Sequence, residues 1–408
     1  MNWPTVKLGE VMTVGRGSSP RPIKDERFFT GGTIPWVKIA DATASGKFIY
    51  QTNQHVNDYG ASFSRKLKPG ALIFPASGTL GIPRFLGVEA CIHDGWLYFS
   101  DYQGIDPDWL YYRIILLKDY YEGIAYGAAI QNINTDIVRN TEIQLPDLAT
   151  QRAMTAVLSA YDDLIATNQR RIALLEDAAR RLYREWFVHL RFPGHESVPV
   201  QDGVPEGWLQ GSAHDFISIL SGGTPKTGIE HYWGGDIPFF TPKDSPDAFY
   251  VLGTEKTLTE SGLASCNSRL FAKNTTFITA RGTVGKVTLA QKPMAMNQSC
   301  YALVPKQHYD NLFLFAAIKD AVEHFKQVAV GGVFDAIVVD TFKVIPFVLP
   351  DAAVTRAFGN AVRPLFQQVE TLLLQNTQLT QARDLLLPKL MSGQLDVSGI
   401  ALPDEVAA

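Results

Sequence analysis

Glycine-containing loops in this sequence carry cations and hydroxyl groups of the kind that bind phosphate. The stretch Arg281–Lys286 reads RGTVGK and is the nearest approach to a nucleotide-binding phosphate loop. A Walker A loop needs Gly where Ala280 stands and Ser or Thr where Val287 stands. No GxGxxG motif occurs either, because Gly15-Arg16-Gly17 lacks the third glycine. The sequence therefore predicts no nucleotide site in these loops.

Other residue types that support catalysis or metal binding are not spaced for it. No two of the eight histidines stand at metal-ligand spacing, and no GxSxG nucleophile elbow occurs. The pair His93-Asp94 is of the general-base type, but in an aromatic stretch we interpret it as structural. We therefore expect no catalytic residue, no metal site and no cofactor on this chain.

The remaining candidate residues are of the types that contact phosphates and base edges in DNA. Loops of Gly, Ser, Thr and cations bring N–H groups and hydroxyls to phosphates, Arg281 has the fork that bonds a guanine edge, and Asn297 with Gln298 can read adenine. The alternative is that each is an ordinary turn residue. The candidate DNA-contacting residues are Arg16, Ser18, Ser19, Arg21, Lys38, Ser77, Thr79 and Arg84 in the first half and Thr224, Lys226, Lys243, Arg281, Thr283, Lys286, Asn297 and Gln298 in the second.

Charge is unevenly distributed along the chain. The net charge is −4, yet residues 1–88 carry 11 basic and 5 acidic residues, and Ser261–Tyr309 carries six basic residues and no acidic one. The net charge thus argues against binding of nucleic acid through overall electrostatic attraction, whereas the local excess of basic residues is compatible with such binding. The acidic residues between positions 94 and 122 are expected to face solvent or a partner protein: Asp94, Asp101, Asp106, Asp108, Asp119 and Glu122.

Length and composition indicate a folded protein of two or three domains. The chain has 408 residues, of which 46% are hydrophobic and 19% charged. Its three cysteines form no CxxC pair, which favours a reducing compartment. Neither a secretion signal nor a run of 18 apolar residues occurs, so we expect a cytoplasmic protein that does not contact the membrane.

The candidate residues belong to an internal repeat of half the chain. Trp3–Pro20 matches Trp208–Pro225 at an offset of 205, and Ile34-Pro35-Trp36 with Asp41 matches Ile237-Pro238-Phe239 with Asp244 at an offset of 203. The segment 73–81 matches 277–285, and Leu145-Pro146-Asp147 matches Leu349-Pro350-Asp351, both at an offset of 204. Four matches in one order at a nearly constant offset indicate a tandem duplication.

Each copy combines a globule with a helix. The first part of each copy has short β-like runs broken by turn residues, which indicates a mixed α/β globule. The second part repeats apolar residues at steps of three and four, the spacing of a coiled-coil seam. The predicted seam residues are Leu158, Ile165, Asn168, Ile172, Leu175 and Leu182 in the first helix and Leu365, Leu372, Asn376, Leu379 and Leu386 in the second.

A narrow apolar seam needs a partner surface. The other copy's helix is the simplest partner, and the pair would form a rod of roughly 60 Å at about 1.5 Å rise per residue. Asn168 and Asn376, each near the middle of its seam, would fix register and orientation. The alternative is that each helix lies on its own globule.

The order globule, helix, globule, helix resembles the specificity subunit of type I restriction-modification systems. The resemblance covers essentially the whole chain. It is carried by the opening segments Trp3–Pro20 and Trp208–Pro225 and by Leu145–Arg152, Tyr161–Ile165, Asn168–Ile172, Ala179–Phe187 and Leu387–Leu395.

The resemblance implies an α+β fold in which two tandem-duplicated mixed α/β target recognition domains are joined by two long helices forming an antiparallel coiled coil. It divides the chain into recognition domains at 1–147 and 208–350, spacer helices at 148–192 and 351–395, a linker at 193–207 and a tail at 396–408. Each domain would read one half of a split target in double-stranded DNA, and half-sites read from one face lie about 34 Å apart.

The resemblance also implies the partners. Two methyltransferase subunits would dock on the helices, with restriction and translocase subunits joining through them. S-adenosylmethionine, ATP and Mg²⁺ would be bound by those partner subunits, so this chain would target the endonuclease and adenine methyltransferase without catalysing either reaction. Two alternatives stay open: a coiled-coil scaffold without sequence-specific DNA binding, and an enzyme with an unrecognised site in its globules.

Overall fold

The computed structural model describes residues 3–76, 82–127, 132–328, 336–397 and 399. By its internal contacts the chain divides into two compact units. The first unit combines the residues up to Ala166 with those from Gln378 onward, and the second unit is Thr167–Thr377. Each unit thus contains one β-rich globule and a part of both long helices.

The first unit is built from short strands separated by turns, followed by helices. Its strands are β1 Thr5–Lys7, β2 Thr13–Arg16, β3 Ile34–Val37, β4 Phe48–Ile49, β5 His55–Val56, β6 Arg65–Leu67, β7 Leu72–Pro75, β8 Arg84–Leu86, β9 Ala90–Ile92, β10 Trp96–Ser100 and β11 Glu142–Gln144. Its helices are α1 Leu8–Val11, α2 Ile39–Ala44, α3 Asp58–Ser62, α4 Pro107–Leu116, α5 Lys118–Gly127 and α6 Thr135–Arg139, and α7 Leu148–Tyr183 begins here and continues into the second unit.

The strands of the first unit form two main sheets. One has the order β2-β10-β7-β8-β4, with β4 parallel to β8, and the other has the order β5-β3-β9-β6, with β9 parallel to β3. A third pairing joins β1 to β11. The parallel pairing of β9 with β3 directs the chain after Ile92 to the same edge as the chain after Val37.

The core of the first unit joins sheet, globule helices and long helices. Phe74 of β7, Trp109 of α4, Leu158 of α7 and Leu390 belong to one buried cluster. Gln151 is fully buried as well, and its amide donates to the carbonyls of Gly104 and Pro146 while its oxygen accepts from the N–H of Asp106. These bonds fix the start of α7 against the loop that precedes α4.

The second unit repeats this plan. Its strands are β12 Val200–Gln201, β13 Val204–Pro205, β14 Leu209–Ser212, β15 Ile217–Ser221, β16 Trp233–Phe240, β17 Tyr250–Val251, β18 Lys256–Leu258, β19 Thr276–Thr279, β20 Val287–Ala290, β21 Ala295–Met296, β22 Cys300–Pro305 and β23 Pro346–Leu349. Its helices are α8 Ala213–Phe216, α9 Glu260–Ala264, α10 Asn311–Val328 and α11 Thr341–Val344, and α12 Ala352–Met391 begins here. Strands β12 and β13 form a hairpin inside the segment 193–207.

The sheets of the two units correspond strand by strand except at β6, whose counterpart in the described residues of the second unit is only the isolated bridge between Phe271 and Met294. In the second unit the large sheet has the order β15-β22-β19-β20-β17, the smaller one has the order β18-β16-β21, and β14 pairs with β23. The parallel pairs recur too, since β17 is parallel to β20 and β21 is parallel to β16. The tandem duplication and the mixed α/β globules predicted from the sequence are confirmed.

The repeated Leu-Pro-Asp segments end a strand and begin a long helix. The carboxylate of Asp147 accepts from the N–H and hydroxyl of Thr150, and that of Asp351 accepts from the N–H of Ala353 at 2.6 Å. An aspartate before the first turn satisfies N–H groups that lack a helical partner. Because these bonds favour the ionised form, the pKa of Asp147 is lowered.

The two long helices pack against one another in antiparallel orientation. Within the second unit, Asn168 is hydrogen-bonded to Asn376, whereas Tyr183 contacts Phe358 with ring centroids 6.1 Å apart. Later residues of α7 thus lie against earlier residues of α12. Within the first unit, Asp162 of α7 is ion-paired with Arg383 of α12 at 2.6 Å.

The predicted seam is buried or half-buried along its length, but it is wider than a coiled-coil stripe. None of the eleven seam residues is exposed, and Leu158, Asn168, Ile172 and Leu372 are buried. In α12, however, Phe366 is more deeply buried than its neighbour Leu365, because its ring packs 4.9 Å from that of Phe249 in the globule of the same unit. The helices therefore bury one stripe on each other and part of a second stripe on the globule.

Candidate nucleic-acid interface

A cleft of about 420 Å³ opens in the second unit, beside the edge where β16 and β21 end. Aromatic side chains, hydroxyls and charged groups share its wall. Four candidate DNA-contacting residues from four separate stretches of sequence line it: Thr224, Lys243, Arg281 and Asn297. The fold therefore brings together residues that are up to 73 positions apart in the chain.

The loop that carries Arg281 is the seven-residue connection between β19 and β20. Gly282 and Gly285 have φ angles of 80° and 76°, a region that residues with a side chain rarely adopt. The loop is closed by Thr279, whose N–H donates to the carbonyl of Lys286 and whose hydroxyl accepts from the N–H of that lysine. The Arg281 side chain is exposed at the cleft.

A buried or half-buried aspartate organises the neighbouring turn in both units. In the second unit, the carboxylate of Asp244 accepts from the N–H and hydroxyl of Thr241 and from the N–H of Glu255. In the first unit, the carboxylate of Asp41 accepts from the N–H of Lys38 and from Asn53. These aspartates shape the turns that carry Lys38 and Lys243, both of which are exposed.

The other candidates of the second unit differ in how they are held. The Thr283 hydroxyl donates to the carbonyl of Pro242, and the Lys286 ammonium is paired with Asp247 at 2.8 Å. Gln298 accepts a hydrogen bond from the hydroxyl of Thr224 at 2.5 Å. Lys226 is exposed, and its carbonyl accepts from the indole N–H of Trp233.

In the first unit, three candidates converge on one acidic residue. Arg16 donates from Nε to the carbonyl of Asp94 at 2.7 Å, and the Ser19 hydroxyl donates to Oδ1 of Asp94 at 2.5 Å. Arg21 donates from Nη2 to Oδ2 of Asp94 at 2.6 Å. From the sequence, Asp94 is expected to face solvent or a partner protein together with the acidic residues that follow it. The structure instead places it against the loop of residues 16–21, which carries candidate DNA-contacting residues.

Electrostatics in this cluster favour an ionised Asp94 beside a neutral His93. Partial burial raises the pKa of Asp94, but the Ser19 hydrogen bond and the Arg21 charge outweigh it, so the pKa is lowered. Burial lowers the pKa of His93. Nδ1 of that imidazole accepts the N–H of Gly95, which leaves the proton of the neutral ring on Nε2.

The remaining candidates of the first unit are less closely grouped. Ser18 is exposed, and its N–H donates to the carbonyl of Ile92. The ammonium of Lys38 lies 5.5 Å from the Trp36 ring centroid. Arg84 is half-buried and donates to the carbonyls of Ala42 and Pro83, so its guanidinium is used in hydrogen bonds within its own unit. Ser77 and Thr79 lie outside the described residues.

Sequence reasoning missed two features of this interface. One is the position of Asp94 against the loop of Arg16 and Arg21, and the other is the contribution of Trp233 and Lys256 to the cleft wall. The first had a signal, because His93-Asp94 stands at the repeat offset of 204 from Asn297-Gln298. The second had none, because only the strand pairing in space brings β18 beside β16.

The described part of the chain contains neither a metal-binding cluster nor a membrane-spanning helix. No group of three or more His, Cys, Asp and Glu side chains is arranged to hold a metal ion there. No helix in the same residues has both the length and the apolarity that crossing a membrane requires.

Comparison with known proteins gives a consistent result. The family model of the type I restriction modification DNA specificity domain matches residues 1–177 and again residues 205–368. The HindI specificity subunit of a type I restriction enzyme from Haemophilus influenzae is 21% identical, over 86% of this chain and 92% of its own. The MjaIX specificity subunit from Methanocaldococcus jannaschii is also 21% identical, over 97% of this chain and 94% of its own.

A solved structure shares the fold. The S subunit of a type I restriction-modification system from M. genitalium superposes with a TM-score of 0.59 at 16% sequence identity, and the match covers 96% of both chains. Both copies of the repeat match one family model, and together the matches span well over half of the chain. The chain belongs to the family of type I restriction-modification specificity subunits.

Proposed function

We propose that this chain binds a bipartite target in double-stranded DNA, with one recognition domain on each half-site. The observation that carries the proposal is the recurrence of one exposed, cation-bearing loop in both units. Arg16 and Arg21 flank it in the first unit, and Lys226 stands at the position of Arg21 in the second. Arg281, from the separate loop between β19 and β20, lines the cleft to which this second loop contributes Thr224. Cations and hydroxyls of this kind anchor phosphates, and Arg, Asn, Gln and Asp side chains read base edges.

The long helices serve as the spacer between half-sites and as the docking surface for two methyltransferase subunits. Their antiparallel packing and the hydrogen bond of the buried Asn168 to Asn376 support a stiff spacer of fixed register. Restriction and translocase subunits join through the methyltransferase subunits. In this arrangement the helices set the gap between half-sites, and the globules set their sequences.

The chain itself acts without catalysis. S-adenosylmethionine, ATP and Mg²⁺ are bound by the partner subunits, which transfer the methyl group to adenine and cleave DNA. What this chain supplies is the choice of target. Its contribution is therefore measured as a ratio of rates or affinities between DNA sequences.

The proposal is tested by mapping adenine methylation at single-base resolution in cells that carry the chain with its methyltransferase subunit. A split motif of two short halves with a fixed gap, lost when the chain is deleted, is the expected result. The control restores the full chain from a plasmid and should restore the same motif. If deletion leaves every methylated motif unchanged, the chain is a scaffold without sequence-specific DNA binding.

A further inference from the structure

The segment that follows the parallel strand of the smaller sheet occupies the same place in both units. In the first, β9 is parallel to β3 and is followed by His93-Asp94. In the second, β21 is parallel to β16 and is followed by Asn297-Gln298. The separation of 204 positions is the offset of the repeat, so the two segments are equivalent by topology and by sequence.

Equivalent backbone contacts hold each segment against a glycine-containing loop, which is residues 16–21 in the first unit and residues 222–226 in the second. The N–H of Ser18 donates to the carbonyl of Ile92 at 3.2 Å, and the N–H of Gly223 donates to the carbonyl of Met296 at 3.1 Å. In both units the acceptor is the last residue of the parallel strand. The loop therefore approaches the segment from the same direction.

A glycine permits this approach in each unit. A Cβ atom on Gly17 would lie 2.1 Å from the carbonyl oxygen of His93, and one on Gly222 would lie 2.2 Å from that of Met296. No side chain fits at such distances. Gly17 and Gly222 are themselves related by the offset of 205 seen in the opening segment. Close contact between loop and segment is thus built into both copies.

The contacts between loop and segment form a frame that is common to both units. A side-chain hydrogen bond at equivalent positions completes this frame. The Ser19 hydroxyl donates to Oδ1 of Asp94, and the Thr224 hydroxyl donates to Oε1 of Gln298, both at 2.5 Å. The second residue of each segment is thereby held in place. Asp94 also accepts from Arg21, but a carboxylate has about four acceptor positions, so both Asp94 and the Gln298 amide keep hydrogen-bonding capacity.

The frame is shared, but the hydrogen-bonding groups on it differ. His93 and Asp94 present an imidazole and a carboxylate, whereas Asn297 and Gln298 present two amides. A carboxylate accepts from the amino group of cytosine, and an amide forms a bidentate pair with adenine. Two domains that read different half-sites need this combination, in which the position is constant and the chemistry at it varies.

Cations suited to phosphate stand beside both segments. Arg16 and Arg21 contact Asp94, and the Arg21 side chain is 68% exposed, so it can exchange its carboxylate partner for a DNA phosphate. In the second unit, the exposed Lys243 lines the same cleft as Asn297. Each segment is thus surrounded by groups that would position a DNA backbone around it.

We propose that His93-Asp94 and Asn297-Gln298 are equivalent base-reading segments, each of which determines part of the sequence of its own half-site. The inference rests on the proposed function and makes it specific to four residues. Exchanging the two segments should exchange base preference at one or two positions of each half-site. The gap between half-sites should not change, because neither segment belongs to a long helix.

The test uses the full chain assembled with its methyltransferase subunits on a DNA library, with methylated sequences read at single-base resolution. One variant carries His93→Asn and Asp94→Gln, and the other carries Asn297→His and Gln298→Asp. We expect each to change preference at least tenfold at one or two positions of one half-site, with the two variants affecting opposite halves. The matched control is Asp136→Asn, which removes the same charge from an exposed ion pair with Arg139.

Isosteric variants keep the test decisive if the exchanges prevent folding. Asp94→Asn and Gln298→Glu retain an acceptor for the Ser19 or Thr224 hydroxyl and alter only charge and donor capacity. Each should still relax preference in a single half-site. If the exchange and isosteric variants methylate the wild-type motif with unchanged preference, the inference is wrong while the proposed function stands. If the wild-type complex itself yields no split motif, the proposed function fails.

Discussion

Asn168 and Asn376 are hydrogen-bonded across the antiparallel helices, with Nδ2 of the first donating to Oδ1 of the second at 3.0 Å. Asn168 is 2% exposed, so the bond lies in a nearly dry stripe. Sliding one helix by a turn would place each amide against apolar side chains, where an unsatisfied polar group is costly. The pair thus opposes other registers more strongly than it stabilises this one.

Replacing only one of these asparagines should destabilise the protein. In Asn376→Leu, the buried amide of Asn168 loses this acceptor, which should lower the free energy of unfolding by about 1–3 kcal/mol. The double variant Asn168→Leu with Asn376→Leu should regain most of that loss, because no amide is then left in this part of the stripe. Urea denaturation of the four proteins in this cycle measures the coupling.

Gln375→Leu is the control, since it changes a neighbouring amide that is exposed on the same helix. It should alter the free energy of unfolding by less than about 0.5 kcal/mol. Equal stability of the single Asn376→Leu variant and the wild type would contradict the interpretation. A double variant less stable than either single variant would contradict it as well.

Local and repeated features could be predicted from the sequence, and non-local ones could not. The helices, the Asn pair and the duplication follow from periodicity and offset, which are visible along the chain. The strand order is different, because strands as short as Phe48–Ile49 and Ala295–Met296 carry little periodicity and pair with distant partners. The contact of Asp94 with Arg16 and Arg21 depends on that pairing, and the only sign of it in the sequence is the repeat offset between His93-Asp94 and Asn297-Gln298.

Glu176 should make stability depend on pH. Burial raises the pKa of this carboxyl above its ordinary value of 4.5, although Oε1 accepts the N–H of Phe249 at 2.7 Å. The folded protein therefore binds this proton more tightly than the unfolded chain. It follows that the contribution of Glu176 to stability falls as the pH rises from about 4.5 through the raised folded pKa.

Glu176→Gln keeps an acceptor for Phe249 and removes the buried charge. The variant should have a higher Tm than the wild type at neutral pH, and the difference should shrink as the pH falls toward 4.5. Thermal melts between pH 4 and pH 8 measure it. Glu323→Gln, at a carboxylate that is 43% exposed, serves as the control and should give a nearly constant difference. A wild-type advantage that grows with pH would refute the assignment.

Arg281 should contribute to sequence preference more than to general affinity for DNA. A bidentate contact with a guanine edge is worth about 1–3 kcal/mol of discrimination, whereas loss of one phosphate contact lowers the salt slope of binding by about 0.9. For the assembled complex, we expect Arg281→Ala to relax one position of one half-site and to leave the slope unchanged. Titration of target and single-mismatch duplexes at several salt concentrations distinguishes the two contacts.

Lys292→Ala is the matched control, because Lys292 is exposed and lies in the same basic stretch but does not line the cleft. It should leave preference at every base pair unchanged. If Arg281→Ala lowers binding to all duplexes equally and reduces the salt slope, the arginine contacts phosphate. If the variant binds every duplex as the wild type does, Arg281 is not part of the interface.

Lengthening both helices together should widen the gap between half-sites. Four residues inserted between Ala166 and Thr167 of α7, with four inserted between Thr377 and Gln378 of α12, keep Asn168 opposite Asn376 and add about 6 Å at 1.5 Å per residue. At 3.4 Å per base pair, this corresponds to roughly two extra base pairs in the methylated motif.

Both half-site sequences should survive this insertion, because the globules are unchanged. The control places the same four residues between Asp202 and Gly203, in the turn of the β12–β13 hairpin, and should leave the gap as it is. A change of helical length also rotates one domain about the DNA axis, so we expect lower methylation rates together with the new gap. An unaltered gap in a complex that still methylates would show that the helices do not set the spacing.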